Sequence, residues 1–377
     1  MAKKHRVYLV PGFFGFANFG DVFYFSHVRE FLAHQFVGTG LEVEVIAVPT
    51  SPTASIRERA LRLYQTVAST ARGDDGPIHL IGHSSGGLDA RLFAAPGSSL
   101  GPGVELEPLA RRVRTVVTLS APHRGTPLAS FFTTLFGQRI LQLLSLSTVY
   151  VLRFGRLPLS LIVEMGALTL RSDMMMRRAN TIIDHVSEQL LTDLNPDRRD
   201  SLVQFFDEVR LDQSLVAQLT PESVDLFNSS AGDRAGVRYG CVVTRAPAPG
   251  MGSRMGLGPD PYAQLAHTAY SWLYARTSRM PERRVVELTP TQRIKMRLAF
   301  GDVPTPADND GIVPTLSQVW GEIIRAVEAD HLDTIGHFND RRHTPPHYDW
   351  LTTGARFRRG AFEALWTAIA AFVAEQS

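Results

Sequence analysis

Ten residues in the first quarter of the chain decide most of its architecture: Ile78-His79-Leu80-Ile81-Gly82-His83-Ser84-Ser85-Gly86-Gly87. An apolar run suited to a buried strand enters G-x-S-x-G, and Gly87 to Ala95 continues with helical character. The motif requires this order of strand, sharp turn and helix. The serine occupies a strained turn that lifts its Oγ above the sheet edge, while flanking glycines let strand and helix pass without Cβ clashes. Register selects Ser84, because Ser85 would need glycine at position 83, where His83 stands. His83 points away from its neighbour's side chain and reads as a packing residue of the turn, not a proton carrier.

Repeated strand–helix units surround this motif. Arg6 to Val10 is a short strand stopped by Pro11-Gly12, and Leu41 to Val48 is a second, ending at Pro49. Thr53 to Thr70 has helical spacing through Ile56, Ala60, Leu63 and Val67, with Ser55 and Glu58 at capping-box distance. Pro77–Ile81 and Val113–Leu119 are further apolar strands. Such βα repeats call for an α/β fold, a mostly parallel sheet covered by helices on both faces. From Pro127 to about Ala235 the pattern turns helical, with runs at Phe131–Val151, Leu157–Leu170, Met174–Leu194 and Ser201–Leu219. Strand alternation resumes at Val237–Thr244. Residues 127–235 are therefore expected to form a helical cap or lid inserted between core segments 1–126 and 236–377. A Gly-, Pro- and Met-rich loop, Ala246–Pro261, precedes a helix at Tyr262–Tyr274. A strand at Glu322–Ala329 and a closing helix at Ala361–Val373 complete the reading.

With 377 residues, 44% of them hydrophobic and 20% charged, the chain has ample core material, and wholesale disorder is excluded. Lys+Arg at 39 against Asp+Glu at 37 gives a net charge of +2, too balanced for a broad phosphate-neutralising field, so no nucleic-acid partner is expected. Lysine occurs only at Lys3, Lys4 and Lys295; the arginine excess reads as coding bias. A single cysteine, Cys241, forbids an intrachain disulfide and favours a reducing compartment. Lys3, Lys4 and Arg6 followed by Val7-Tyr8-Leu9-Val10 imitate a signal peptide, but Pro11-Gly12 ends the apolar run after four residues. A cytoplasmic location is expected. Arg139, Arg153, Arg156, Pro158 and Glu164 interrupt the most apolar stretch, Phe131–Leu170, so no spanning helix is expected, although a lipid-surface contact through the apolar block stays open.

An acyl-transfer serine needs backbone N–H groups aimed where negative charge develops. One is expected from Ser85, directly after the candidate nucleophile, and the other from Phe13 in Val10-Pro11-Gly12-Phe13-Phe14-Gly15. The acid and base should follow in the order Ser, Asp/Glu, His. Asn309-Asp310-Gly311 lies in an acidic turn, and Asp330-His331-Leu332-Asp333 comes directly after the expected strand Glu322–Ala329. His331 would take the Ser84 proton and Asp310 would hold the far side of its ring. Asp302 and Asp308 are rival acids; His337, His343 and His347 are rival bases.

Five stretches in order resemble the bacterial triacylglycerol lipase branch of the α/β-hydrolase superfamily. They are the Gly-Phe loop, Gly82-His83-Ser84-Ser85-Gly86-Gly87, Ser120-Ala121-Pro122-His123-Arg124-Gly125-Thr126-Pro127, Leu219-Thr220-Pro221 with Phe227-Asn228, and Asn309-Asp310-Gly311 followed by His331-Leu332-Asp333. The resemblance implies Ser84, Asp310 and His331 as a triad, Phe13 and Ser85 as the oxyanion amides, and residues 127–235 as a lid over an acyl pocket. The implied activity is carboxylic-ester hydrolysis of hydrophobic acyl esters, with no cofactor. The alternatives are acyl transfer through the same triad and a non-enzymatic ligand-binding relative. The chain departs from the family in several places: it lacks the second cysteine and signal peptide of many relatives, its insertion Ala246–Met280 has no counterpart, and two further departures bear on the site. Pro11-Gly12 stands where relatives usually have His-Gly. Some relatives hold calcium between a carboxylate after the return strand and one two residues past the histidine; Asp333 matches the second, but Thr244-Arg245-Ala246 offers no first, so no metal is expected.

Overall fold

Strand residues that alternate between two equally apolar faces need cover on both, and the sheet is built that way. The computed structural model describes residues 4–13, 24–37, 40–156, 212–250 and 260–375, with positions 185 and 188. Six strands, β1 (His5–Val10), β2 (Val43–Ala47), β3 (Ile78–His83), β4 (Val113–Leu119), β5 (Arg238–Arg245) and β6 (Glu322–Glu328), form one sheet in the order β2-β1-β3-β4-β5-β6. Every pairing in it is parallel. This is the parallel, helix-covered sheet that the βα repeats predict, and it agrees with the α/β-hydrolase core that the lipase resemblance implies.

The helices, in chain order, are α1 (Ser26–Val37), α2 (Ile56–Thr70), α3 (Gly86–Ala94), α4 (Glu107–Ala110), α5 (Pro127–Phe132), α6 (Leu135–Phe154), α7 (Ser214–Gln218), α8 (Pro221–Ser230), α9 (Pro261–Thr277), α10 (Pro290–Phe300) and α11 (Arg359–Ala374). Val7, Leu9, Ile81, Val117 and Val242 enter one core with α1, α6 and α11. Their strand neighbours Tyr8, Val10, Leu80 and Val116 enter a second core with α2 and α3. Cys241, Val243 and Ile323 pack with Met296 and Phe300 of α10 in a third. The chain runs from β1 outward to β2, then back past β1 to β3. The carboxyl ends of β1 and β3 therefore face a topological switch point, where open α/β sheets bind ligands. Among the described residues no helix is long and apolar enough to cross a membrane.

The expected helix Phe131–Val151 is two helices. Gly137 lies so close to the Phe131 carbonyl that a Cβ there would stand 2.0 Å from it, and the Thr134 hydroxyl accepts the Gly137 N–H at 3.0 Å to start α6 afresh. The helices expected at Leu157–Leu170 and Met174–Leu194, most of Ser201–Leu219, and the middle of the Ala246–Pro261 loop lie outside the described residues. Helices α1 and α10 were not anticipated from the sequence.

Candidate active site

The end of β3 places Ser84 at φ 55°, a left-handed conformation rare outside glycine, in a turn from which α3 departs at once. The crossing tolerates no side chain: a Cβ on Gly82 would lie 2.3 Å from the Gly86 carbonyl oxygen. Ser84 Oγ lies 2.9 Å from His331 Nε2, and His331 Nδ1 lies 2.9 Å from Asp310 Oδ2. All three residues are buried. With Nδ1–H donated to the carboxylate, Nε2 is left to accept the serine proton, which is the arrangement that makes a hydroxyl nucleophilic.

Asp310 is held from every side. Its Oδ1 accepts the N–H groups of Ile312 (3.0 Å) and Val313 (2.8 Å), and its Oδ2 accepts Thr244 Oγ1 (2.9 Å) and Gln318 Nε2 (3.2 Å) besides His331. Thr244 in turn accepts the hydroxyl of Ser120 at 2.9 Å, and Ser120, at φ 50°, is the other non-glycine residue of positive φ among the described residues. The rivals fall elsewhere. Asp302 pairs with Arg245 on the surface, and Asp308 accepts Thr305 N–H to close a turn. His343 and His347 gather round His27, not Ser84.

The loop after β1 shows what replaces the His-Gly pair of the lipase resemblance. Arg59, fully buried, pairs with Asp89 at 2.8 Å and donates to the Pro11 carbonyl at 2.6 Å. Burial still pushes the Asp89 carboxyl up to about 6 against that guanidinium. At the other end of the same peptide, Gly12 N–H donates to Tyr24 Oη at 2.9 Å. Having accepted that bond, Tyr24 donates to His83 Nδ1 at 2.6 Å, which leaves His83 Nε2–H to donate to the His331 carbonyl at 2.7 Å. His83 is thus a bonded brace between the loop and the segment carrying His331, a correction to its reading as a packing residue. Burial and the nearby His331 hold it well below the ordinary histidine range, which favours the neutral ring that this bonding pattern requires. A Cβ on Gly12 would lie 2.6 Å from Ser84 Cβ, so only glycine brings the loop this close.

Phe13, Ser84 and His331 line one cleft of about 580 Å³, its open mouth included. Seven of its fifteen lining residues come from the helical block: Leu128, Ala129 and Phe132 of α5, Leu141 and Leu144 of α6, Val216 of α7 and Leu219 directly after it. Ser85 stands at the first position of the turn into α3, where the backbone dipole favours negative charge, although its hydroxyl makes no capping bond. The remaining matched stretches anchor the block. Thr126 N–H donates to Leu219 O at 3.0 Å, Asn228 Nδ2 donates to His123 O at 2.8 Å, and a Cβ on Gly125 would stand 2.6 Å from Pro221.

The donor set for calcium is not that of the lipases. Thr244 is engaged with Asp310, and Arg245, a cation where a carboxylate would be needed, pairs outward with Asp302. Asp333 instead packs with Asp330 and Asp349, their carboxyl oxygens within 4.8 Å of one another. Burial, with repulsion from Asp310, pushes Asp330 up to about 7; burial, with repulsion from Asp330, pushes Asp333 and Asp349 well above the carboxylate range.

No family model matches the sequence, and no curated protein matches it. Solved structures do. The chain is similar to EstA from Clostridium botulinum at a TM-score of 0.55 and 16% identity, covering 99% of this chain and 88% of that one. Lipase 1 from Pelosinus fermentans gives 0.52 and 16%, covering 100% and 99%, and Staphylococcus hyicus lipase gives 0.50 and 15%, covering 99% and 96%. At these identities the likeness establishes the α/β-hydrolase fold that bacterial lipases share; activity has to be argued from the site.

Proposed function

We propose that this chain is a serine carboxylic-ester hydrolase, of lipase or esterase type, acting on esters with a hydrophobic acyl chain through an acyl-Ser84 intermediate. The observation that carries the reading is the Ser84–His331–Asp310 hydrogen-bond chain, at 2.9 Å and 2.9 Å, on the wall of an apolar cleft. Ser84 Oγ attacks the ester carbonyl carbon while His331 Nε2 takes its proton, and Asp310 steadies the imidazolium so formed. The oxyanion is held by the N–H groups of Phe13 and Ser85, which is what the doubly anchored Pro11–Gly12 peptide and the start of α3 are suited to keep in place. His331 then gives its proton to the departing alkoxide oxygen. In the second half, His331 deprotonates a water that attacks the acyl carbon, and Ser84 recovers its proton as the acid leaves. Residues 127–235 act as the cap that supplies the acyl wall.

Ser84→Ala should abolish turnover of p-nitrophenyl esters and labelling by a fluorophosphonate probe, with a loss on the order of 10⁶ in kcat and an unchanged fold. Retention of a tenth of wild-type activity would place the nucleophile elsewhere. His331→Ala should be similarly inactive, whereas His343→Ala should hydrolyse esters at the wild-type rate.

A further inference from the structure

Behind the loop that leaves His331, four imidazoles share one nest. His27 lies in the first turn of α1, and His337, His343 and His347 follow His331 in the chain. The ligand atoms of His27, His343 and His347 lie within 4.8 Å of one another. Each of these rings has one nitrogen engaged by a main-chain carbonyl. His343 Nδ1–H donates to Pro345 O at 2.8 Å, His347 Nδ1–H donates to Gly336 O at 2.6 Å, and His27 bonds the Pro346 carbonyl. That engagement fixes the tautomers and leaves a lone pair on the second nitrogen of each ring. At His27 the second nitrogen is Nδ1, which is buried without a hydrogen-bond partner in a residue only 7% exposed. An unpaired buried acceptor costs free energy unless something fills its demand.

We propose that His27, His343 and His347 bind a single transition-metal dication, Zn²⁺ first among them. Three imidazole donors are the set that zinc, copper and nickel prefer and that calcium and magnesium do not. A ring nitrogen bound to metal characteristically has its partner nitrogen donating to a carbonyl or carboxylate, and all three rings are held in that way. The carboxylate of Asp340, which acts on His347, adds compensating negative charge. Three protein ligands leave the fourth tetrahedral position to water. His27 and His347 stack with centroids 3.7 Å apart, so one ring must turn about χ2 to bring both lone pairs onto one ion. An aromatic stack alone, in which His27, His347 and Phe338 merely pack, is the competing explanation. It leaves the buried, unpartnered Nδ1 of His27 unexplained.

The position gives the ion a consequence. Tyr24, three residues before His27, accepts the Gly12 N–H, and Gly336, against which His27 packs, lies in the loop from His331. An ion here ties the support of the Pro11–Gly12 peptide to the segment carrying His331.

The test is a Zn²⁺ titration of the full chain, after chelation and dialysis, in competition with a chromophoric chelator, together with thermal melts. One Zn²⁺ per chain is expected with a Kd of about 1 µM or tighter, and the melting temperature should rise with free zinc. His343→Ala, at a half-buried position, should weaken binding by about 100-fold or more, since loss of an outer partner alone costs up to that factor. His347→Phe, which keeps the ring in the stack, should do the same. Neither should alter ester hydrolysis measured without zinc. Binding weaker than about 100 µM, or tight binding that both variants leave intact, would overturn the site. The second outcome would assign the ion to exposed histidines such as His34 and His185.

Discussion

At the scale of single residues, the Pro11–Gly12 peptide is the most informative bond in the molecule. Its carbonyl is held by Arg59 and its N–H by Tyr24, so the next amide, Phe13 N–H, has little freedom to turn. Tyr24→Phe keeps the ring but removes both the acceptor for Gly12 N–H and the donor to His83. On the proposed mechanism a fall of about tenfold in kcat, with KM within a factor of two, is expected, because the acyl wall is untouched while the amide proposed to hold the oxyanion loosens. Steady-state kinetics on a soluble ester read this directly, and an unchanged kcat would mean that the loop holds itself. Ser84, Asp310 and His331 were legible in the sequence because the elbow motif and the order of acid and base are local patterns. The brace was not. His83 meets Tyr24 across 59 positions and His331 across 248, and nothing in a linear pattern says which ring nitrogen each partner takes.

Among elements, the sheet was readable and the helices partly so. All six strands carry β-branched or apolar runs bounded by glycine, proline or charge, and each falls within a few residues of its expected place. Helix α1 was missed, although Val28, Leu32 and Phe36 repeat every four residues and all are buried. Helix α10 also announced itself, through Pro290 after Thr289 and the Thr289–Gln292 capping box. The division between α5 and α6 depends on Gly137 meeting the Phe131 carbonyl, a tertiary fit that composition does not encode. On the proposed function that division would bear on substrate choice, because Phe132 and Leu144 reach the cleft from separate helices. Leu144→Trp should fill part of the acyl wall. kcat/KM for long-chain p-nitrophenyl esters should drop about tenfold or more relative to the butyrate, since losing burial of two or three methylenes at about 0.8 kcal/mol each is enough. A uniform loss over all chain lengths would instead indicate damage to Ser84 or His331.

For the molecule as a whole, stability should depend on pH through groups that the fold keeps uncharged. His79 is lowered to about 3 by burial, with His5 and Arg114 adding to the shift, and His83 and His123 are held well below their ordinary range, again chiefly by burial. Above about pH 6.5 these rings are neutral folded or unfolded and contribute nothing to the pH dependence. Below it the unfolded chain binds protons that the folded chain refuses, so stability falls as pH falls towards 3. The buried carboxyls work in the opposite sense. Asp330, raised to about 7, and Asp333 and Asp349, raised well above their usual range, keep protons that the unfolded chain gives up above about pH 4. Stability therefore falls as pH rises, until each folded carboxyl ionises in turn. Between about pH 4 and 6.5 the two sets oppose each other. Below that window only the histidines still act, and above it only the acidic trio. The melting temperature should trace a dome over pH 3 to 9 with its crown inside the window. Asp349→Asn removes one proton-retaining group and one source of repulsion on Asp333, so it should flatten the alkaline side and leave the acid side in place. Melting curves of wild type and variant that stay parallel from pH 6 to 9 would mean that the trio does not retain its protons.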